Sequence, residues 1–334
     1  MTYPPHILII RLSALGDVAM TVPVVRQLAA QYPQLKITIL SRPFARALYA
    51  GMPANVHFME ADLKGKHKGV KGLNELFRRL HAKHFTAVAD LHDVLRTKYL
   101  RLRFHINRYP IAHIDKHRQQ RRQLVRQHNK QLHQLPTQFQ NYADVFAKLG
   151  YPITLHTHAT QTGNNSVDIG IAPFAAHKGK IYPTHLMQQV VEQLNNNTSI
   201  QHIYFFCGKG EETNIVNRWC SQYPKCTNAS QQLHSLEKEI ELMAQLRLLI
   251  TMDSGNAHLA AMAGTEVVSI WGATHPYAGF KAYTQKEENI LQTSLPCRPC
   301  SIYGNKPCLR KDYACLNNIT PQQIVDKVMQ IVGE

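Results

Sequence analysis

Short aliphatic runs recur along the chain and are separated by longer stretches in which apolar residues return every three or four positions. The runs are His6–Ile10, Lys36–Leu40, Ala87–Leu91, Val167–Ala172, Ile203–Cys207, Leu248–Ile250 and Val267–Ile270. Most are apolar throughout rather than alternating, which marks strands buried on both faces, as in parallel sheets covered by helices. Helical periodicity predicts helices over Val18–Tyr32, Lys116–Leu135, Phe139–Leu149 and Ala257–Ala263, in the stretch LHSLEKEIELMAQ from Leu233, and over Pro321–Val332. This alternation predicts an α/β protein of βαβ units. The polar stretch THATQTGNNS interrupts it, so the boundaries are set at a first domain 1–155, a linker 156–166, a second domain 167–318 and a terminal helix 319–334.

Composition narrows the class. A chain of 334 residues can bury two cores, and its 44% hydrophobic content suits a globular protein. No apolar run approaches the roughly 20 residues that span a bilayer. The run Ile7–Ile10 is followed at once by Arg11 and reads as a strand, not a signal peptide. Seven cysteines without a secretory signal point to a reducing cytoplasm. Lysine and arginine number 38 against 22 acidic residues, a net charge of +16 that favours polyanionic partners. The excess peaks between Arg96 and Lys130, where eleven basic residues meet one acidic residue, Asp115. Such density suits a phosphorylated acceptor or an anionic membrane, or a solvated helix face.

The candidate chemistry sits where strands end. After Leu248–Ile250 come Asp253, Ser254 and Gly255, then a helix carrying His258. Free N–H groups and the positive dipole end favour a phosphate there, with Ser254 as N-cap and Gly255 admitting close approach. After the first strand, Arg11–Asp17 forms a loop whose aspartate suits either a general base or a favourable charge at a helix N-terminus. Cys297, Cys300, Cys308 and Cys315 fall within nineteen residues. The first pair has zinc-chelate spacing and the second does not, so reduced thiols are expected, with a structural zinc site as the alternative.

The order D-S-G-x-x-H-x-A-A, strand, W-G at 253–272, together with R-x-S-x-x-G-D-V-x-x-T-x-P at 11–23, resembles the signatures of glycosyltransferase family 9, the lipopolysaccharide heptosyltransferases. The resemblance implies a GT-B fold, two Rossmann-like doubly wound domains facing a central cleft, with the last helix packing back on the first domain. It implies inverting, metal-independent transfer of a sugar from a nucleotide sugar such as ADP-heptose to a lipopolysaccharide inner-core acceptor. Asp17 would be the catalytic base. Lys180, in a basic-x-aromatic-Pro loop where Tyr182 replaces the usual tryptophan, would meet the donor diphosphate. Glu211 or Glu212 would hold the ribose, with Asp253, Ser254, Gly255 and His258 completing the donor site. Arg11, Ser13, Arg96, Arg118, Arg121 and Arg122 would meet the acceptor. No cofactor is implied, since the nucleotide sugar is a substrate, and the protein would work peripherally at the inner face of a bacterial inner membrane. Another GT-B nucleotide-sugar transferase, or a basic nucleic-acid-binding protein on a Rossmann scaffold, are the alternatives. Against the latter, only Phe104 and Tyr109 interrupt the basic run, a poor stacking platform.

Overall fold

The computed structural model describes residues 4–156 and 167–333, so all but the first residue of the expected linker lies outside the described residues. The chain divides into two compact α/β units: residues up to 116 with 138–156, and 117–137 with the described residues from 167 onward. Among the described residues no helix is long and apolar enough to cross a membrane.

The first unit is a five-stranded, all-parallel sheet of β1 (His6–Ile10), β2 (Lys36–Ser41), β3 (Val56–Glu60), β4 (Ala87–Asp90) and β5 (Ile111–His113), in the order β3-β2-β1-β4-β5. All five residues of β1 are buried, as a central strand covered on both faces requires. The expected first helix is two, α1 (Leu15–Ala19) and α2 (Thr21–Gln31), and α3 (Gly69–His81) and α4 (Leu95–Ile106) follow β3 and β4. Leu73, Leu76, Phe77 and Leu80 of α3 and Leu100 and Phe104 of α4 pack on Leu8, Ile10, Leu40 and Val88. Beyond α5 (Arg118–Leu124), which belongs to the second unit, α6 (Gln138–Ala147) returns to pack on α2.

In the second unit β6 (Ile169–Ala172), β7 (Ile203–Phe205), β8 (Cys226–Asn228), β9 (Leu248–Met252), β10 (Glu266–Trp271) and β11 (Ile290–Gln292) form another parallel sheet, ordered β11-β10-β9-β6-β7-β8. Its helices are α7 (Thr184–Asn196), α8 (Glu211–Gln222), α9 (Ala229–Leu233), α10 (Leu236–Met243), α11 (Gly255–Ala263), α12 (Ala314–Asn317) and α13 (Pro321–Gly333).

Two expectations are corrected. The basic stretch is not one helix over Lys116–Leu135. Only α5 forms, because its apolar residues are too few to seat a long helix: Leu124 and Leu135 alone are buried, against Ala278. The segment is fastened to the second unit by Arg121, stacked 4.7 Å over the Phe280 ring and bonded to the Tyr303 hydroxyl at 3.2 Å, and by Lys130, whose Nζ donates to the carbonyls of Pro296 and Pro299. The last helix, expected on the first domain, instead places Ile324, Val325, Val328 and Ile331 in the second unit's core and packs against α7. Its apolar stripe is satisfied there.

Because Ile324 is fully buried in that core, Ile324→Ala should cost about 2–5 kcal/mol of stability. Urea unfolding followed by circular dichroism checks it. A loss below about 0.5 kcal/mol, the scale of a surface substitution, would mean that α13 is not part of the second core.

Candidate active site

In an open parallel sheet the loops after the strands all emerge at one edge, and a crevice opens where the strand order reverses direction. In the first unit that reversal falls between β1 and β4; in the second it falls between β6 and β9. The loops after β1, β6 and β9 lie at these two places, and the loop after β7 lies beside the second.

At the first, Arg11 and Asp17 form an ion pair of 2.7 Å, with Arg11 buried and the Asp17 side chain 32% exposed. Arg11 is anchored by donating to the Leu91 carbonyl at 2.7 Å. Asp17 also accepts the Ala14 amide at 3.3 Å, so the helix N-terminal role weighed from sequence is real. Both contacts fall on Oδ2, and among the described residues Oδ1 accepts no hydrogen bond. The carboxylate is therefore oriented through one oxygen and open at the other, which is what a proton acceptor needs. Ser13 is half-buried in the same loop, and Arg96 is exposed in the first turn of α4.

The loop after β4 adds groups that the motifs do not contain. His92 Nδ1 accepts the Leu12 amide at 3.4 Å, which leaves any ring proton on Nε2. Burial, and then the nearby Arg11 and Lys116 charges, push His92 down to about 3, so it is a neutral imidazole at physiological pH. Asp90, fully buried, accepts the amides of His92 and Asp93 at 2.9 and 3.0 Å and pairs with Arg101 at 3.2 Å. The Lys116 ammonium donates to the Asp93 carbonyl at 3.0 Å. The signal for these residues is a polar His92-Asp93 directly after an apolar strand, but it follows no spacing rule.

At the second reversal Lys180 and Asp253 meet at 2.9 Å, one from the loop after β6 and one from the end of β9. Gly304, at φ +74°, makes room for the lysine: a Cβ there would lie 2.4 Å from Lys180 Cγ. Tyr182, standing where tryptophan is usual, is buried, donates from its hydroxyl to the Ile319 carbonyl at 2.7 Å, and is pushed up to about 12 by burial. It anchors the loop by packing. Ser254 sits at the N-cap position of α11 but makes no side-chain cap. Its hydroxyl turns instead to Thr251 at 3.2 Å. Gly255 opens the helix, and His258 is buried one turn in.

The two glutamates separate. Glu212 Oε2 accepts the Gly208 amide at 2.6 Å and so braces the turn after β7, whereas Glu211 is exposed in the first turn of α8. Of the basic-stretch residues, Arg118 and Arg122 are exposed, whereas Arg121 is committed to Phe280 and Tyr303 within the second unit. The first domain is thus not where these three arginines lie. Cys297, Cys300, Cys308 and Cys315 line one pocket with Arg298 and Arg310, and burial pushes the thiols of Cys300 and Cys315 up, the latter to about 11. Among the described residues no group of three or more His, Cys, Asp or Glu is arranged to hold a metal ion.

Comparison with known proteins bears on the fold and the family. The lipopolysaccharide core heptosyltransferase OpsX of Haemophilus influenzae is 31% identical over 99 residues, 30% of this chain and 27% of that one, so the aligned part spans about a quarter of the relative's length. A glycosyltransferase family 9 structure from Veillonella parvula superposes with a TM-score of 0.72 at 19% identity, covering 99% of this chain and 98% of that one. The ADP-heptose lipopolysaccharide heptosyltransferase II of E. coli gives 0.69 at 17% identity, covering 98% of both. At such identities the structures establish the fold, GT-B. The profile of glycosyltransferase family 9 (heptosyltransferase) matches residues 73–309, more than half of the sequence. The nucleic-acid alternative drawn from charge gives way to this match: the chain belongs to glycosyltransferase family 9.

Proposed function

We propose that the protein is an inverting heptosyltransferase that moves heptose from ADP-heptose to an anionic lipopolysaccharide inner-core acceptor at the cytoplasmic face of the inner membrane. The observation that carries this reading is the pair of poised charges at the two strand-order reversals, Asp17 held by Arg11 in one unit and Lys180 held by Asp253 in the other.

In this reading Asp17 Oδ1 takes the proton of the attacking acceptor hydroxyl. That oxygen bonds to the anomeric carbon as the bond from that carbon to the diphosphate oxygen breaks on the opposite face, which inverts the centre. The departing ADP gains negative charge, met by the Lys180 ammonium and the N-terminal amides of α11, so no resident metal or other cofactor enters. Asp253 orients the lysine, while Ser254, Gly255 and His258 shape the diphosphate loop. Glu211 accepts from the ribose hydroxyls, and Glu212 holds the turn that presents it. Neutral His92 offers Nε2–H to a substrate oxygen. Arg11, Ser13 and Arg96 meet the acceptor from the first unit, and Arg118 and Arg122 add positive charge from the second. The heptose and the acceptor rest on the family, and a thermal-shift screen separates them from other nucleotide-sugar chemistry. ADP and ADP-heptose should stabilise the protein, and UDP- and GDP-sugars should not. A stronger response to another nucleotide would replace the donor in this account.

Asp17→Asn should lower turnover by a factor of about 10² or more, the usual contribution of a general base, with ADP affinity unchanged by calorimetry. Near-normal turnover with the native acceptor would remove Asp17 from the chemistry.

Lys180→Ala should weaken ADP binding about tenfold or more, because a charge-assisted contact is lost and the buried Asp253 carboxylate is left facing the diphosphate. Turnover should fall as well, since the contact strengthens as the leaving group forms. Unchanged ADP affinity in the folded variant would place the lysine outside the site.

A further inference from the structure

Among the described residues, none covers the face of α4 turned away from the core. Leu95, Leu102 and Ile106 are 84%, 54% and 66% exposed. Leu102 and Ile106 lie seven and eleven positions after Leu95, and at about 100° per residue all three fall within roughly 20° of one line along the helix. The opposite face, Thr97, Leu100 and Phe104, is buried in the first unit, so the helix is already seated and the stripe is surplus to folding. Three large apolar side chains in one exposed line are unusual for a helix of a soluble domain.

The surroundings select an occupant. Arg96, Lys98 and His105 are exposed on the same helix, Arg108 follows it, and α4 contains no acidic residue. Alongside runs α3, and the Asn74–Tyr99 hydrogen bond and the Phe77–Phe104 edge contact advance together along the two helices, followed by the His81–Tyr109 hydrogen bond just past the end of α4, so the helices are parallel. Val70, 62% exposed, is therefore at the Leu95 end, beside exposed Lys68 and Lys71.

We propose that this α3–α4 face of the first unit docks on an anionic membrane surface, with Leu95, Leu102 and Ile106 entering the headgroup–acyl boundary and the flanking lysines and arginines meeting lipid phosphates. An apolar stripe bordered by cations is the composition of an interfacial helix. A second copy of the chain would set cations against cations across the same stripe, and charge complementarity favours the lipid. The inference rests on the reading of a membrane-held acceptor for its purpose, although not for its test. It also places membrane attachment on α4 rather than on the arginines of the 117–137 segment.

The test is co-sedimentation of the full chain with phosphatidylcholine vesicles, with and without phosphatidylglycerol, at low and high salt. The wild-type protein should bind only the anionic vesicles, less so at high salt. Leu102→Gln/Ile106→Gln, which keeps every charge, should lower partitioning about tenfold or more. His105→Glu/Arg108→Glu should lower it with the stripe intact. Both variants should keep the ADP-induced thermal shift and transfer to a lipid-free acceptor, which separates this proposal from the transferase reading. Wild-type protein that ignores anionic vesicles, or variants that bind as well as wild type, would overturn the proposal. So would a wild-type dimer in sedimentation velocity that the glutamine variant dissociates, since the stripe would then be covered by a second copy.

Discussion

A strand buried in a parallel sheet cannot turn back beside itself. Each connection must cross a face of the sheet, and every loop that follows a strand is delivered to the same edge. Both units are built wholly this way, and in each the strand order reverses once, after β3 in the first and after β8 in the second. The reversal sends successive crossovers to opposite sides and leaves a crevice between the loops at that edge. The polar residues at the ends of β1, β4, β6 and β9 have nowhere else to go. Apolar runs such as HILII and LLITM thus have a functional consequence, because their burial on both faces puts Arg11, Asp17, His92, Lys180 and Asp253 at the mouths of the two sheets.

At those mouths charges are held in pairs and not left alone. Arg11 is buried, and without Asp17 and the Leu91 carbonyl its desolvation would be uncompensated. The Lys180–Asp253 pair follows the same logic, with Gly304 clearing the path of the lysine chain. Such pairing adds little to stability, but it fixes where a charge points before a substrate arrives, which spares reorganisation when charge develops. The neutral state of His92 follows from its burial first and then from the same field, since a protonated imidazole there would be a third cation beside Arg11 and Lys116.

Most of this was legible in the sequence where a local rule applied. The strands were marked by continuous aliphatic runs, the α11 start by Asp253-Ser254-Gly255, and Asp17 and Lys180 by motifs at strand ends. What failed was what depends on partners far along the chain. The periodicity of α13 shows an apolar face but not that α7 receives it. The charge density of Arg96–Lys130 suits a polyanionic partner but does not reveal that Arg121 is spent on Phe280 and Tyr303. The hydroxyl of Ser254 is drawn to Thr251, three residues back, where a capping rule aims it at the helix. No local rule singles out His92, whose orientation comes from the Leu12 amide eighty residues away.

The central claim, that the nucleotide is held by the second unit at its strand-order reversal while the first unit keeps the base, is tested most directly by hydrogen exchange of the intact protein with and without saturating ADP. The account predicts slowed exchange in residues 173–182, 208–213 and 253–258, with residues 11–17 and 90–96 unchanged. Protection confined to 11–17 and 90–96, or none at 253–258 under saturation, would contradict it.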